Sequence, residues 1–365
     1  MEGRPVPQPQ GLDDLRVLVQ QVLDEQQRRH REDLAPLGPQ MASLTAPIDD
    51  LLRGGKRLRA AFCYWGYRAA GGPHGEGIVR LATAMEVFQA AALLHDDVMD
   101  RSDTRRGMPS AHRRLGGLHA SEGWDGDSER FGDAGAILAG DLCLNWTDEL
   151  FATSGLPSEE LARGRRTFDL MRTQLMGGQY LDVLESVRPW EQLDTSERVD
   201  RARTVIRFKS AKYTIEQPLL IGAQSRGVDP QTDAALSAYG LALGEAFQLR
   251  DDLLGVFGDP AQTGKPAGDD LREGKRTVLV ALALDRSTAA DLDRFNTLFG
   301  REDLTGAEVD WLRDWCVRTG AVERVEQLID EGAGRARAAL DPLRLDPDGT
   351  RVLGELIEVC VARSA

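Results

Sequence analysis

Phe88-Gln89-Ala90-Ala91-Ala92-Leu93-Leu94-His95-Asp96-Asp97-Val98-Met99-Asp100 is an apolar stretch that runs straight into three carboxylates. Residues four apart share a helix face, so Asp96 and Asp100 project into one space, and the alanines and leucines before them bury the helix. Three acids within five residues repel one another unless a cation neutralises them. Mg²⁺ prefers oxygen ligands and is the expected partner of Asp96 and Asp100; His95 is expected to pack or hydrogen-bond rather than to ligate. A solvated helix end is the ordinary alternative for one acidic cluster. Against it stand the apolar run before the acids and Asp103-Thr104-Arg105-Arg106-Gly107 just after, with two guanidiniums suited to bidentate phosphate contact.

A second acidic segment lies far downstream, in Phe247-Gln248-Leu249-Arg250-Asp251-Asp252-Leu253-Leu254. Alone it is weaker, because Gly255 sits four residues past Asp251, and Asp259 precedes Pro260, where the helix should end. Gln248, one turn before Asp252, can donate to a phosphate or a water. Read together, the two segments describe carboxylates converging from two helices on divalent cations that clamp a phosphate-bearing substrate. A third constellation is Gly54-Gly55-Lys56-Arg57-Leu58-Arg59. Its glycines let the backbone approach a ligand, and the helix that starts there offers its amides to an anion. The spacing is not that of a nucleotide P-loop.

The rest of the chain reads as helix. Leu15, Leu18, Val19, Val22 and Leu23 recur at helical spacing within 13–33, and similar runs fall around 57–70, 77–99, 134–153, 159–184, 196–222, 232–256, 275–284 and 306–318. Breaks are expected at Gly71-Gly72-Pro73, 121–133, 187–195 and 258–274; the polar, glycine-rich 121–133 reads as a flexible loop. The expectation is an all-α protein: a loose tail over 1–11, then one helical domain over 12–365 around a central apolar cavity, with two helical domains the lesser reading. At 365 residues the chain can bury a large core, and it contains no run of roughly 18 consecutive apolar residues.

Net charge is −14, which disfavours sequence-independent nucleic-acid binding. Basic residues cluster instead at Arg53, Lys56, Arg57 and Arg59 and at Arg105 and Arg106, so local charge decides what binds. Cys63, Cys143, Cys316 and Cys360 are scattered and read as reduced thiols, which points to a cytoplasmic setting. The five histidines form neither HExxH nor a zinc pattern.

Taken together, these motifs resemble the trans-isoprenyl diphosphate synthases (the polyprenyl synthetase family), most closely the bacterial geranylgeranyl diphosphate synthases. The matching segments are GGKRLR at 54–59, HDDVMD at 95–100, DTRRG at 103–107, GGQYLD at 177–182, KSAKYT at 209–214, FQLRDDLLGVFGD at 247–259 and TGKPAGDDL at 263–271. Most are weak singly; in this order over most of the chain they are specific. The resemblance implies the isoprenoid-synthase helical bundle, three Mg²⁺ ions, a homodimer, and two substrates, isopentenyl diphosphate and an allylic diphosphate. It assigns Asp96 and Asp100 to two Mg²⁺ with Asp97 in support, and Asp251 to the third with Asp252 behind it. Arg105, Lys209 and Lys265 would contact the allylic diphosphate. Lys56, Arg59 and Arg106, with Arg57, would bind isopentenyl diphosphate, and Gln89 takes a place where some members carry histidine. Gln179, Asp182, Ser210 and Gln248 would line the polar mouth. Gly255 stands where many members carry a third aspartate.

Such a reaction breaks a C–O bond, releases pyrophosphate and exposes an allylic cation, which requires charge stabilisation on the leaving group and a dry pocket for the tail. Pocket depth below Asp96 would set product length. At about 1.5 Å per residue, Ala91 and Ala92 lie roughly 6–8 Å down and Phe88 about 12 Å. The two alanines leave the upper pocket open and Phe88 is the candidate floor, which favours a C20 product over C15 or C25 and longer. Phe88 as plain core packing is the alternative. A class I terpene cyclase would share the acidic helix but not need the second diphosphate pocket at Lys56–Arg59 and Arg106. A non-catalytic partner subunit would not need all five aspartates.

Overall fold

The computed structural model describes residues 7–190, 192–258 and 268–362. Helix accounts for 77% of the described residues, as the near-continuous helical periodicity requires. In chain order the helices are α1 (Leu12–Leu34), α2 (Met41–Leu51), α3 (Leu58–Ala69), α4 (Glu76–Met99), α5 (Ala111–Ser121), α6 (Ser128–Ala152), α7 (Ser158–Val187), α8 (Thr195–Val205), a π-helical stretch Ile206–Glu216, α9 (Gln217–Ser225) and α10 (Pro230–Phe257). After them come α11 (Asp269–Arg272), α12 (Val278–Asp285), α13 (Ala289–Leu298), α14 (Gly306–Arg318), α15 (Ala321–Leu340) and α16 (Pro347–Val361).

The chain divides into two compact units, each assembled from separate stretches: 1–168, 218–233 and 344–353 in one, 169–217, 234–343 and 354–365 in the other. In the first unit α4 is the core helix, packed by α6, α3 and α1. It is apolar all round, and buries Ile78, Leu81, Met85, Phe88, Ala91 and Leu94 on several faces, as a helix surrounded by others must. By length and composition α4 alone among the described helices could cross a membrane; 72% of that window is buried inside the protein, as a core helix requires. Distant stretches join this unit through close backbone contact. A Cβ on Gly222 of α9 would lie 2.0 Å from the Cys63 carbonyl oxygen, so α9 crosses α3 at a distance only glycine permits. The start of α16 is tied on by Asp346, whose N–H donates to the Ala69 carbonyl at 2.8 Å.

The second unit has its own core of Leu249, Leu253, Val256, Leu279, Leu312, Trp315, Val325 and Ile329. Aspartate and threonine caps begin many of these helices: Asp194, Thr288 and Thr305 each form a reciprocal capping box with an acid three residues on.

Two expectations need revision. The segment 121–133 is mostly structured: α5 reaches Ser121, and α6 starts at Ser128 under an Asp127 side-chain cap. His119, Trp124 and Phe131 pack as a ring cluster with centroids 5.2–5.9 Å apart, which holds the short turn between them. The sequence also hides a hairpin. Thr104 pairs with Pro109 and Arg105 with Met108, around Arg106 and Gly107, both at positive φ as a two-residue turn of this kind demands. Without β-branched runs on either side, nothing in composition announced it.

Candidate active site

The first unit carries the basic turn, the hairpin and the first acidic segment. Asp96 and Asp100 lie one turn apart at the end of α4, where Asp100 N–H still donates to the Asp96 carbonyl at 2.8 Å. Asp97 faces elsewhere and is 1% exposed. Arg105 Nε donates to its Oδ1 at 2.9 Å, a second bond comes from Nη2, and the same Nη2 stands 3.8 Å from Asp96 Oδ2. The hairpin therefore holds Arg105 against the acidic helix end through Asp97. His95 packs as expected: its ring lies on Gly140 of α6, where a Cβ would come within 2.2 Å, and Nε2 is 3.1 Å from the Ile137 carbonyl. Gly140 is a residue that sequence reading missed; a small residue seven before Thr147 on a half-apolar helix gave no signal.

Arg106 leaves the hairpin tip toward the basic turn, and Nη1 donates to the carbonyls of Leu51 (2.9 Å) and Arg53 (3.2 Å). Burial lowers its pKa first, and Arg57, Arg105 and Arg59 press the same way against the pull of Glu86. Such a crowd of guanidiniums is a standing potential for an anion. Arg57 is not aimed at one. It adopts a left-handed conformation (φ 55°) as the residue before α3, is 5% exposed, and bonds Gln20 Oε1 at 2.8 Å, the Leu52 carbonyl and, at 3.6 Å, Glu86. Glu86, buried in α4, also accepts the Ala60 N–H at 2.9 Å, so an internal carboxylate already uses one of the α3 amides expected to meet a ligand. The position of Arg57 is that of a brace for the turn. Lys56 is exposed, Arg59 is 9% exposed, and Gln89 is half-buried on α4. Phe88 and Ala91 are fully buried and Ala92 partly so.

The second unit carries the remaining groups. Asp251 is exposed on α10 and Asp252 is 6% exposed, with Gln248 Nε2 donating to Asp252 Oδ1 at 2.8 Å. Gln248 thus spends a donor inside the protein, one turn back on the same helix. Arg250 fixes the rotation of α10: it makes a bidentate pair with Glu326 at 2.8 and 2.7 Å and reaches the Val361 carbonyl at 3.2 Å. Burial first, then the neighbouring Asp270 carboxylate, push the Asp252 carboxyl up to about 7. Asp270 explains Gly255. A Cβ at 255 would lie 2.1 Å from Asp270 Oδ2, so the volume where that side chain would begin already holds a carboxylate, itself bonded to Lys275 at 3.1 Å. Lys209 Nζ pairs with Asp182 Oδ2 at 2.5 Å; Ser210 is buried in the π-helical stretch, and Gln179 is half-buried on α7. Lys265 and Asp259 lie outside the described residues. Among the described residues, no three acidic, histidine or cysteine side chains close on one point as a self-sufficient metal cage.

With both halves of the motif set placed on their helices, comparison with known proteins is decisive. The family model described as polyprenyl synthetase matches residues 41–314. The chain belongs to the polyprenyl synthetase family. A geranylfarnesyl diphosphate synthase of Aeropyrum pernix is 31% identical over 316 residues, 85% of this chain and 91% of that one. A geranylgeranyl diphosphate synthase of Methanosarcina mazei is 30% identical over 304 residues, 82% of this chain and 83% of that one. Among solved structures, a geranylgeranyl pyrophosphate synthase of Corynebacterium glutamicum, complexed with isoprenyl diphosphate and magnesium, superposes with a TM-score of 0.90 at 39% identity, covering 96% of this chain and 99% of that one. This polyprenyl synthetase is therefore a trans-prenyl diphosphate synthase on the isoprenoid-synthase helical fold.

Proposed function

We propose that this prenyl synthase condenses isopentenyl diphosphate with an allylic diphosphate in a Mg²⁺-dependent reaction whose main product is geranylgeranyl diphosphate. The observation that carries the metal assignment is the last turn of α4, where Asp96 and Asp100 share a face while Asp97 is taken by Arg105. Two carboxylates one helical turn apart suit a hard cation that completes its shell with phosphate oxygens and water. When bound, Mg²⁺ would neutralise charge on the departing pyrophosphate.

The residues of the chain then take these parts. Asp96 and Asp100 hold two ions and Asp251 the third, with Asp252 behind it, bonded to Gln248. Arg105, steadied by Asp97, and Lys209 and Lys265 take charge on the allylic diphosphate as the C–O bond breaks. Lys56, Arg59 and Arg106 hold the second diphosphate, Gln89 adds a donor beside it, and Arg57 braces the turn from inside. Gln179, Asp182 and Ser210 line the polar mouth. The buried end of α4, with Ala91, Ala92 and Phe88, keeps water from the cation while the isopentenyl double bond attacks. A new C–C bond forms, and the proton released passes to pyrophosphate.

The C20 product rests on small residues at 91 and 92 above Phe88, and on geranylgeranyl synthases among the relatives. The A. pernix relative makes the C25 alternative concrete. A homodimer is supported by the stripe Met176, Tyr180, Val183 and Val187 along α7, each 40–74% exposed and spaced as one helix face. Four buried free thiols support a reducing, cytoplasmic setting.

The test is direct: purified protein, Mg²⁺, isopentenyl diphosphate and each allylic starter, with products sized. C20 chains are expected, together with complete loss of turnover in chelator and a loss of at least about a hundredfold in Asp96→Ala. Full activity in chelator would remove the metal assignment. Turnover of an allylic diphosphate without isopentenyl diphosphate, to a cyclic product, would favour a terpene cyclase.

A further inference from the structure

The π-helical stretch Ile206–Glu216 carries Lys209, and its backbone is pressed by glycines from two sides. On α7, a Cβ at Gly178 would lie 2.4 Å from the carbonyl carbon of Phe208 and 2.5 Å from the Lys209 nitrogen. On α10, a Cβ at Gly244 would lie 2.7 Å from Ala211 Cα. The face of α7 that bears Gly178 continues in both directions as a row of polar contacts to the chain over 201–217, from α8 through the π-helical stretch to the start of α9. Gln174 pairs with Gln217 at 2.8 Å, Asp182 with Lys209 at 2.5 Å, and Glu185 with Arg201 at 3.7 Å. Within this row Gly178 is the place where main chain meets main chain, one turn before the carboxylate that holds the Lys209 ammonium. Its neighbour Gly177 differs sharply: a Cβ there meets nothing within 4 Å.

We infer that Gly178 is a positioning residue for the reaction: its missing side chain seats the 208–209 backbone against α7 and so fixes where the Lys209 ammonium stands beside Asp182. The inference rests on the proposed role of Lys209 at the allylic diphosphate. An alanine at 178 cannot be relieved by moving a flexible side chain, because the atoms it meets are backbone. The π-helical stretch must retreat by a large part of an ångström, and Gly244 with Ala211 blocks that retreat on the far side. A misplacement of about 1 Å in a group that stabilises a leaving group costs roughly a hundredfold in rate.

The experiment compares Gly177→Ala, Gly178→Ala and Gly244→Ala with the wild type in Mg²⁺, isopentenyl diphosphate and an allylic starter. Circular dichroism and gel filtration establish that each variant is folded in the wild-type assembly. Gly178→Ala and Gly244→Ala are expected to lose roughly 10- to 100-fold in kcat/KM for the allylic substrate, with KM for isopentenyl diphosphate within about twofold. Gly177→Ala is expected to match the wild type. Adding Gly178→Ala to Lys209→Ala should cost little more than Lys209→Ala alone, since both act through one ammonium. Equal loss for both substrates, full additivity with Lys209→Ala, or equal behaviour of Gly177→Ala and Gly178→Ala overturns the inference. So does failure of both Gly178→Ala and Gly244→Ala to fold while Gly177→Ala folds, since that assigns the glycines to packing alone. A wild type without turnover on any starter would instead remove the functional reading beneath it.

Discussion

At the scale of single residues, an acid is defined by what lies beside it. Asp96 and Asp97 are adjacent in sequence, yet one stays partly open at the helix end and the other is sealed under Arg105. Asp251 and Asp252 repeat the division, one exposed and one buried with its carboxyl raised to about 7. Gly255 belongs to the same local logic, because Asp270 fills the space at its α-carbon. Restoring the aspartate that many family members carry is therefore expected to harm this protein. Gly255→Asp would force two carboxylates together beside Asp252, lowering stability by about 1–3 kcal/mol and reducing turnover. Thermal unfolding and steady-state rates check this, and a variant faster than the wild type would show that the two carboxylates separate without cost.

At the scale of elements, α4 does two jobs whose demands conflict. Under the proposed function its C-terminal end offers charge to substrate, while its middle is buried core. Phe88 is fully buried, so Phe88→Ala is expected to destabilise the protein by about 3–5 kcal/mol. If Phe88 also floors the product pocket, the product distribution lengthens beyond C20; an unchanged distribution in folded variant protein would leave Phe88 as packing only. The pairing of α1 with α6 carries a pH dependence of its own. His30 stacks on Trp146 with centroids 4.0 Å apart and faces Glu149, with Arg29 and Asp33 nearby. Burial lowers its pKa below 6.5, outweighing the opposing pull of Glu149. Below pH 6.5 the unfolded chain then takes up a proton that the folded one resists, so stability is full above that pH and falls as acid is added. Chemical denaturation from pH 8 to 5 should show this loss, and a shallower loss in His30→Phe. An unaltered slope would assign the acid sensitivity to other groups such as His112, which burial shifts the same way.

At the scale of the whole molecule, the apolar stripe on α7 is expected to be a subunit contact. Replacing Tyr180 and Val187 by Asp should yield monomer on gel filtration without loss of helicity; a wild type that runs as a monomer would refute the contact outright. How much of this was legible beforehand follows from range of interaction. Helical periodicity, the acidic helix end, the glycine-lysine turn and the order of the motifs are local patterns, so the sequence alone determined the all-helical class and the prenyl synthase family, and supplied the candidate residues. What it lacked were facts about residues far apart in the chain. That Arg57 turns inward to Glu86, that Asp270 occupies the space beside Gly255, that Gly140 seats His95, and that a two-residue hairpin carries Arg105 and Arg106 all depend on which helix is packed against which. Those contacts follow from close packing of side-chain volumes across elements, and only the tertiary structure decides them.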